Sequence, residues 1–279
     1  MRQLYILDKF NDDMFTWDNE FLLIEMNRIF ATAAFGATAA VGLYSLAAYT
    51  NISKASRNSI SVYHDIPETF ASSHTVRNLV NPNNHPLALD SRSITIRGSK
   101  FSQLPDEALL ARFVKGFFGG WVFTPERYAL KALNISTGPF PGEHHRDHSA
   151  LNSRVNSIAG LNSTLSIWNL SELSDNTLPP ISTSIFGAFQ IADINLSNHT
   201  KKQPHESSID IVFGSPSSTF AGSHRLSIHR DPAASDAVTL SLSCVAGNPT
   251  QNKPMKDGVL LTFHRAYAMM LFRDAVAAM

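Results

Sequence analysis

The chain has almost no cysteine. Cys244 is the single thiol in 279 residues. That excludes an internal disulfide framework, and no CxxC or Cys/His zinc spacing can be written. Net charge is also missing: 23 basic and 23 acidic side chains cancel to +0. There is no basic stripe, so a nucleic-acid partner is not expected, because phosphate binding needs clustered Lys and Arg. No GxGxxG, GK[ST] or GxSxG pattern occurs, which argues against dinucleotide, nucleoside-triphosphate and α/β-hydrolase chemistry. Gly116, Gly119 and Gly120 precede Trp121, but no buried strand leads into them, and they read as a packing hinge. No cofactor and no metal are expected.

Apolar residues are plentiful, at 43% against 16% charged, enough for a sizeable core. One stretch, Ile29–Tyr49, carries no charge at all over a length that matches a bilayer crossing. It reads either as a membrane span or as a buried Ala-rich helix. Lys54 and Arg57 follow it and only Arg28 precedes it, so a span would keep the C-terminal part cytosolic, on the endoplasmic reticulum for example. The other reading is a soluble cytoplasmic protein. Six sequons, at Asn51, Asn134, Asn162, Asn169, Asn195 and Asn198, would matter only in a lumen and so point the other way. The composition suggests a lead-in with the apolar segment over residues 1–56 and a folded domain over 57–279.

Within that domain Ser91–Arg97 alternates Ile94 and Ile96 with polar neighbours, as a half-buried strand does. Pro105-Asp106-Glu107 and Thr124-Pro125-Glu126 each carry the Pro and acidic first turn of a helix. A long polar loop, Thr137–Asn162, follows, and then a short strand is expected within Ser166–Leu170. Four apolar segments separated by turn signals, Ser184–Leu196, Ser207–Phe213, Phe220–Arg230 and Ala237–Ala246, run into a long helix from about Gly258 to Ala278. Sequential strands pair with their neighbours, so the expected fold class is α+β: an antiparallel sheet gripping a C-terminal helix, the order of helix-grip (START and Bet v 1-like) proteins. A curved sheet around a helix leaves a concave apolar space that suits a hydrophobic small molecule.

Several polar residues fall in rows that face this space. His224 shares its face with Gly222, Leu226 and Ile228. It is either a satisfied core residue or a hydrogen-bond donor and proton carrier pointing into the cavity. Asp193 continues the row Ile185, Gly187, Phe189, Ile191, and would pair with His224 or lie in solvent at the strand end. On the last helix Phe263, Tyr267, Met270 and Leu271 form an apolar face, with the Tyr267 hydroxyl as a second donor. His224 and Tyr267 are thus the candidate catalytic residues, and Trp121, Phe263 and Met270 the candidate substrate-binding wall. Cys244, in a strand pattern, reads as a buried inert thiol. Glu143-His144-His145-Arg146-Asp147-His148 is dense in ligand types, but no apolar periodicity holds it in a helix.

Three stretches carry a resemblance: Asp106–Leu130 (DEALLARFVKGFFGGWVFTPERYAL), Phe220–Ser227 with Val238–Pro249 (FAGSHRLS, VTLSLSCVAGNP), and Phe263–Ala275 (FHRAYAMMLFRDA). Over roughly residues 57–279 the chain resembles a poorly characterised family of fungal proteins, some encoded in secondary-metabolite gene clusters. It is also similar to norbornene-forming Diels–Alderases of the sordarin type of diterpenoid route. The resemblance implies a cofactor-independent enzyme that cyclises or isomerises a terpenoid intermediate beside other enzymes of the same pathway. A membrane-tethered lipid or isoprenoid carrier is the alternative from another class.

Overall fold

The computed structural model describes residues 38–135, 140, 165–197, 205–234, 236–255 and 258–279. Residues 29–37 of the apolar stretch, the Glu143–His148 cluster and most of the long polar loop lie outside them. Residues 38–53 are helical. No helix among the described residues is long and apolar enough to cross a membrane.

The chain divides into two compact units, Met1–Thr50 and Asn51–Met279. The second begins before the composition break at residue 56, because Ile52 and Ala55 are buried and the Asn51 amide donates to Asp274 Oδ1 at 2.6 Å. The sequon at Asn51 is thereby used as a structural contact.

The second unit is α+β. Eight strands form one sheet in the order β1-β2-β8-β7-β6-β5-β4-β3. They are β1 Ser61–Tyr63, β2 Leu87–Arg97, β3 Ser166–Ile167, β4 Ser184–Ile185, β5 Phe189–Asn195, β6 His205–Gly214, β7 Ala221–Arg230 and β8 Ala237–Gly247. β5 to β8 form the expected antiparallel meander, and β2 closes on β8. The sheet is nonetheless mixed rather than antiparallel throughout, because β3 runs parallel to β4. Three longer helices, α1 Asp106–Gly119, α2 Thr124–Ala132 and α3 Val259–Ala277, accompany it.

The central strands are buried on both faces, which is why β7 and β8 are enclosed almost along their whole length. Leu226, Ile228, Leu240 and Leu242 face α1 and α3 across the main core. Val212, Ala221 and Val245 face a smaller core made with Phe70, Val76 and Leu79 from the short helical segments before β2. A bulge between Ile191 and Asp193 shifts the register of β5 on β6, so Asp193 leaves the inward row of Ile191 and pairs with Asp210. The extra residue flips every later side chain to the opposite face. Of the two readings of Asp193, the pairing with His224 is therefore not formed.

The buried side of α3 is Leu261, Ala268, Leu271, Phe272 and Ala275, spaced three and four apart. α1 crosses it closely at Gly116, where a Cβ would stand 2.9 Å from the Ala275 carbonyl oxygen. Phe113 meets Phe272 edge to face at 5.9 Å. Phe113, Phe117 and Phe118 have almost no exposure, so aromatic packing fills most of the space between sheet and helix that the sequence reserves for a ligand.

Candidate functional site

One part of that interface is polar. It lies where the first turns of α3 cover the ends of β2, β8 and β7. Asp90 on β2, Cys244 on β8 and His224 on β7 stand side by side in the hydrogen-bonded register, so all three project from the same face. Arg92 lies two residues beyond Asp90 and shares that face. From above, His264 of α3 lies against this row, its ring nearly parallel to His224 with centroids 6.3 Å apart. Phe213 and Phe117 close the sides, 4.6 Å and 5.6 Å from the His224 ring.

Arg92 is only 2% exposed. Its Nη2 is ion-paired with Asp90 Oδ2. Its Nε and Nη1, and Nδ1 of His224, are buried and find no hydrogen-bond partner among the described residues. A buried donor without an acceptor costs on the order of 1–3 kcal/mol, and more when charged. The two guanidinium nitrogens on one small patch are a demand for an acceptor, while His224 Nδ1 donates or accepts according to its tautomer.

The surroundings fix the charge states. Burial pushes the His224 imidazole down to about 3, with His264 and Arg92 adding to the effect, so the ring is neutral through the physiological range. Burial lowers His264 as well, again reinforced by Arg92 and Arg265. The Cys244 thiol is pushed up to about 11 by burial, partly opposed by Arg92, so it is a protonated, inert thiol unless a cation takes the proton's place. Burial also lowers the Arg92 guanidinium.

His224 occupies the inward position its row suggests. The other sequence candidates are elsewhere. The Tyr267 hydroxyl donates to Glu126 Oε2 at 2.7 Å, tying α3 to α2, and its ring stacks on Phe263. Burial raises the Glu126 carboxyl, and the Tyr267 hydrogen bond partly offsets the rise. Phe263 is 61% exposed and Trp121 44% exposed in the turn between α1 and α2. Met270 is half-buried on α3. None of these four lines the polar patch.

Asp90 and Arg92 carry no motif, and the sequence leaves His264 as readily on the surface as inside. The signal for the first two is present in the sequence: Asp90 and Arg92 continue the inward row Ile94, Ile96 once β2 is started at Leu87 rather than Ser91. His264 becomes inward only if the buried side of α3 is turned by one position from Phe263–Tyr267 to Leu261–His264–Ala268.

Two clefts elsewhere on the surface have a different character. One of about 480 Å³ lies between β3 and the Leu178–Pro180 turn, and one of about 520 Å³ lies beside Ile66, Asn81 and Leu87. Neither collects orphaned donors. No family model, no curated protein and no solved structure matches this chain.

Proposed function

We propose that the chain is an enzyme that cyclises or isomerises a hydrophobic, carbonyl-bearing small molecule at the patch formed by Arg92, His224 and their neighbours. The observation that carries this reading is the set of unpartnered buried donors, Arg92 Nε and Nη1, set beside a neutral imidazole and framed by Phe117 and Phe213. Asp90 already balances the guanidinium charge, so a neutral carbonyl oxygen fits the patch better than a second carboxylate. Donors aimed at such an oxygen draw electron density from a conjugated alkene and lower the barrier to bond formation across it. The aromatic walls hold the apolar remainder in one reactive conformer.

In a pericyclic closure two carbon–carbon σ bonds form at the expense of π bonds. Nothing leaves, and product and substrate have the same mass. His224, held neutral, acts as a hydrogen-bonding group rather than as an acid. The patch lies beneath the first turns of α3, so substrate entry would require those turns to move. On this reading sheet and α3 are a helix grip, the molecule transformed is a terpenoid intermediate of fungal secondary metabolism, and the chain works beside the other enzymes of that route. Residues 29–49 would hold it at a membrane, with the folded unit on the cytosolic side.

The test is to incubate the protein with the late hydrophobic intermediate made by the enzymes encoded beside it and follow the products by mass spectrometry and NMR. A product of unchanged mass and new ring connectivity, formed faster than in buffer and lost in Arg92→Lys, is the expected result. Substrate that co-purifies unchanged, with affinity indifferent to Arg92→Lys and His224→Phe, would establish a carrier instead.

A further inference from the structure

Beside the orphaned donors lies a set of metal-ligand types from three separate elements. One ligand atom each from Asp90 on β2, Cys244 on β8 and His264 on α3 lie within 4.8 Å of one another. We infer that Asp90, Cys244 and His264 form a binding site for a divalent, borderline-soft metal ion of the zinc type, and that this site is a feature of the folded protein independent of the reaction proposed above.

The donor set argues for that class of ion. Thiolate, imidazole and carboxylate together suit zinc and its neighbours in the first transition row, whereas calcium and magnesium take oxygen alone. Three protein ligands with a fourth position open is the arrangement of a metal that binds water or substrate rather than one that only braces the fold. With metal–ligand bonds of about 2.0–2.3 Å, tetrahedral ligand atoms stand roughly 3.3–3.8 Å apart. The three ligand atoms all lie within 4.8 Å of one another, so any approach to that spacing asks only for small rotamer changes.

Charge also fits. With Cys244 protonated the empty set is neutral, Asp90 balancing Arg92; a bound cation would displace the thiol proton, and the thiolate so formed would offset part of the ion's charge. Arg92 holds Asp90 by its Nη2 and leaves Nε and Nη1 without partners. Partners of metal ligands commonly orient them in this way. An oxygen bound at the fourth position would be the acceptor those two nitrogens lack. The chain brings these residues together only through folding: they stand 154 and 20 positions apart in sequence (90 to 244, and 244 to 264), beyond any motif spacing.

The single cysteine makes the test unusually direct, because any thiolate–metal signal must come from Cys244. The full chain is stripped with a chelator and titrated with cobalt(II) chloride. The expected result is saturation at one ion per chain, with a near-ultraviolet thiolate-to-cobalt charge-transfer band and visible bands of tetrahedral intensity. Zinc(II) should displace the cobalt and abolish both. Cys244→Ser should remove the charge-transfer band, and His264→Gln should weaken binding by at least about tenfold. His229→Gln, at an exposed histidine on β7, should change nothing. Circular dichroism checks that each variant is folded. If Cys244→Ser does not fold, the wild-type charge-transfer band still decides. A folded wild-type protein without that band, or cobalt binding that is lost equally in His229→Gln, overturns the inference. Cyclisation persisting in the chelator-stripped protein would leave the proposed reaction standing while this titration alone decided the metal.

Discussion

Each face of the sheet buries an arginine–aspartate pair whose two members both lie on its strands, and these two pairs are built differently. On the face toward the short helical segments, Arg225 of β7 and Asp210 of β6 are directly opposed across the ladder. Arg225 Nε and Nη2 donate to the two carboxylate oxygens at 2.6 and 2.8 Å, and the guanidinium lies over the Phe70 ring at 4.5 Å. On the face toward α1 and α3, Arg92 and Asp90 sit on one strand, two residues apart, and two guanidinium nitrogens have no partner among the described residues. The first pair uses its hydrogen-bonding capacity internally and serves the fold. The second keeps capacity in reserve, which is what a ligand site requires. Burial alone does not separate the two cases; the count of satisfied donors does.

The contrast can be broken most forcefully from the closed side. Arg225→Met leaves Asp210 as an uncompensated buried charge, and should cost about 3–5 kcal/mol in denaturant unfolding. The open side should instead show its effect in turnover. Arg92→Lys keeps the charge and removes the planar donor fork, and should reduce cyclisation by about 10²–10³-fold, equivalent to roughly 2.7–4 kcal/mol. Removing both charges sharpens the comparison further. Asp90→Leu with Arg92→Met should be as stable as the parent, or more stable by up to about 1–4 kcal/mol, because a half-satisfied pair is replaced by apolar packing. If that double variant proved strongly destabilised, the open pair would be structural after all.

The smallest effect is a pH dependence. His224 is held at about 3 in the folded chain against an ordinary value of 6.5. Between those values the unfolded chain binds the proton and the folded chain does not, so stability rises with pH across that window and is lost on acidification below about 6.5. The slope from this one group is at most about 1.4 kcal/mol per pH unit. His264, lowered in the same direction, adds to it. Chemical unfolding between pH 6.5 and 4.5 should show a shallower decline in His224→Phe than in the parent.

A second contrast is local. Asp106 joins α1 to the far ends of β6 and β7, accepting from Ser207 at 2.6 Å and Arg230 at 2.7 Å, while Arg230 also caps the carbonyls of Ser102 and Leu104. Asp274 does the same for the α1–α2 turn, accepting from the Val122 backbone at 2.7 Å and from Asn51. Both carboxylates are buried and fully employed, like Asp210 and unlike the patch around Arg92. Most of the described interior satisfies its polar groups, and the patch around Arg92 stands out because several orphaned atoms, two of them on one guanidinium, gather there.

Much of the architecture was legible because it is written in local patterns. The Pro-and-acid first turns marked α1 and α2, the turn signals marked β6 to β8, and the mostly apolar run from Val259 marked α3 within a residue or two, while the segment Ser184–Leu196 splits into β4 and β5 at a turn through Phe186 and Gly187. The inward position of His224 followed from the two-residue strand period, which also carries Asp90 and Arg92 inward once β2 is extended to Leu87. The helical face was harder. Phe263 and Tyr267 are as apolar as Leu261 and Ala268, so periodicity alone could not tell which side turned inward. The β5 bulge was not legible at all, since a one-residue insertion leaves no mark on composition, yet it removed Asp193 from the inward row.

By itself the sequence determined the three longer helices, most of the meander and the lack of a disulfide partner for Cys244 or of nucleotide motifs, because these depend on neighbours within a few residues; β1 and the helical segments before β2 were not marked. The meeting of Asp90, Arg92, His224, Cys244 and His264 was decided only by tertiary structure. Strand register and the rotation of α3 bring together residues far apart in the chain, and both are set by the packing of the whole core.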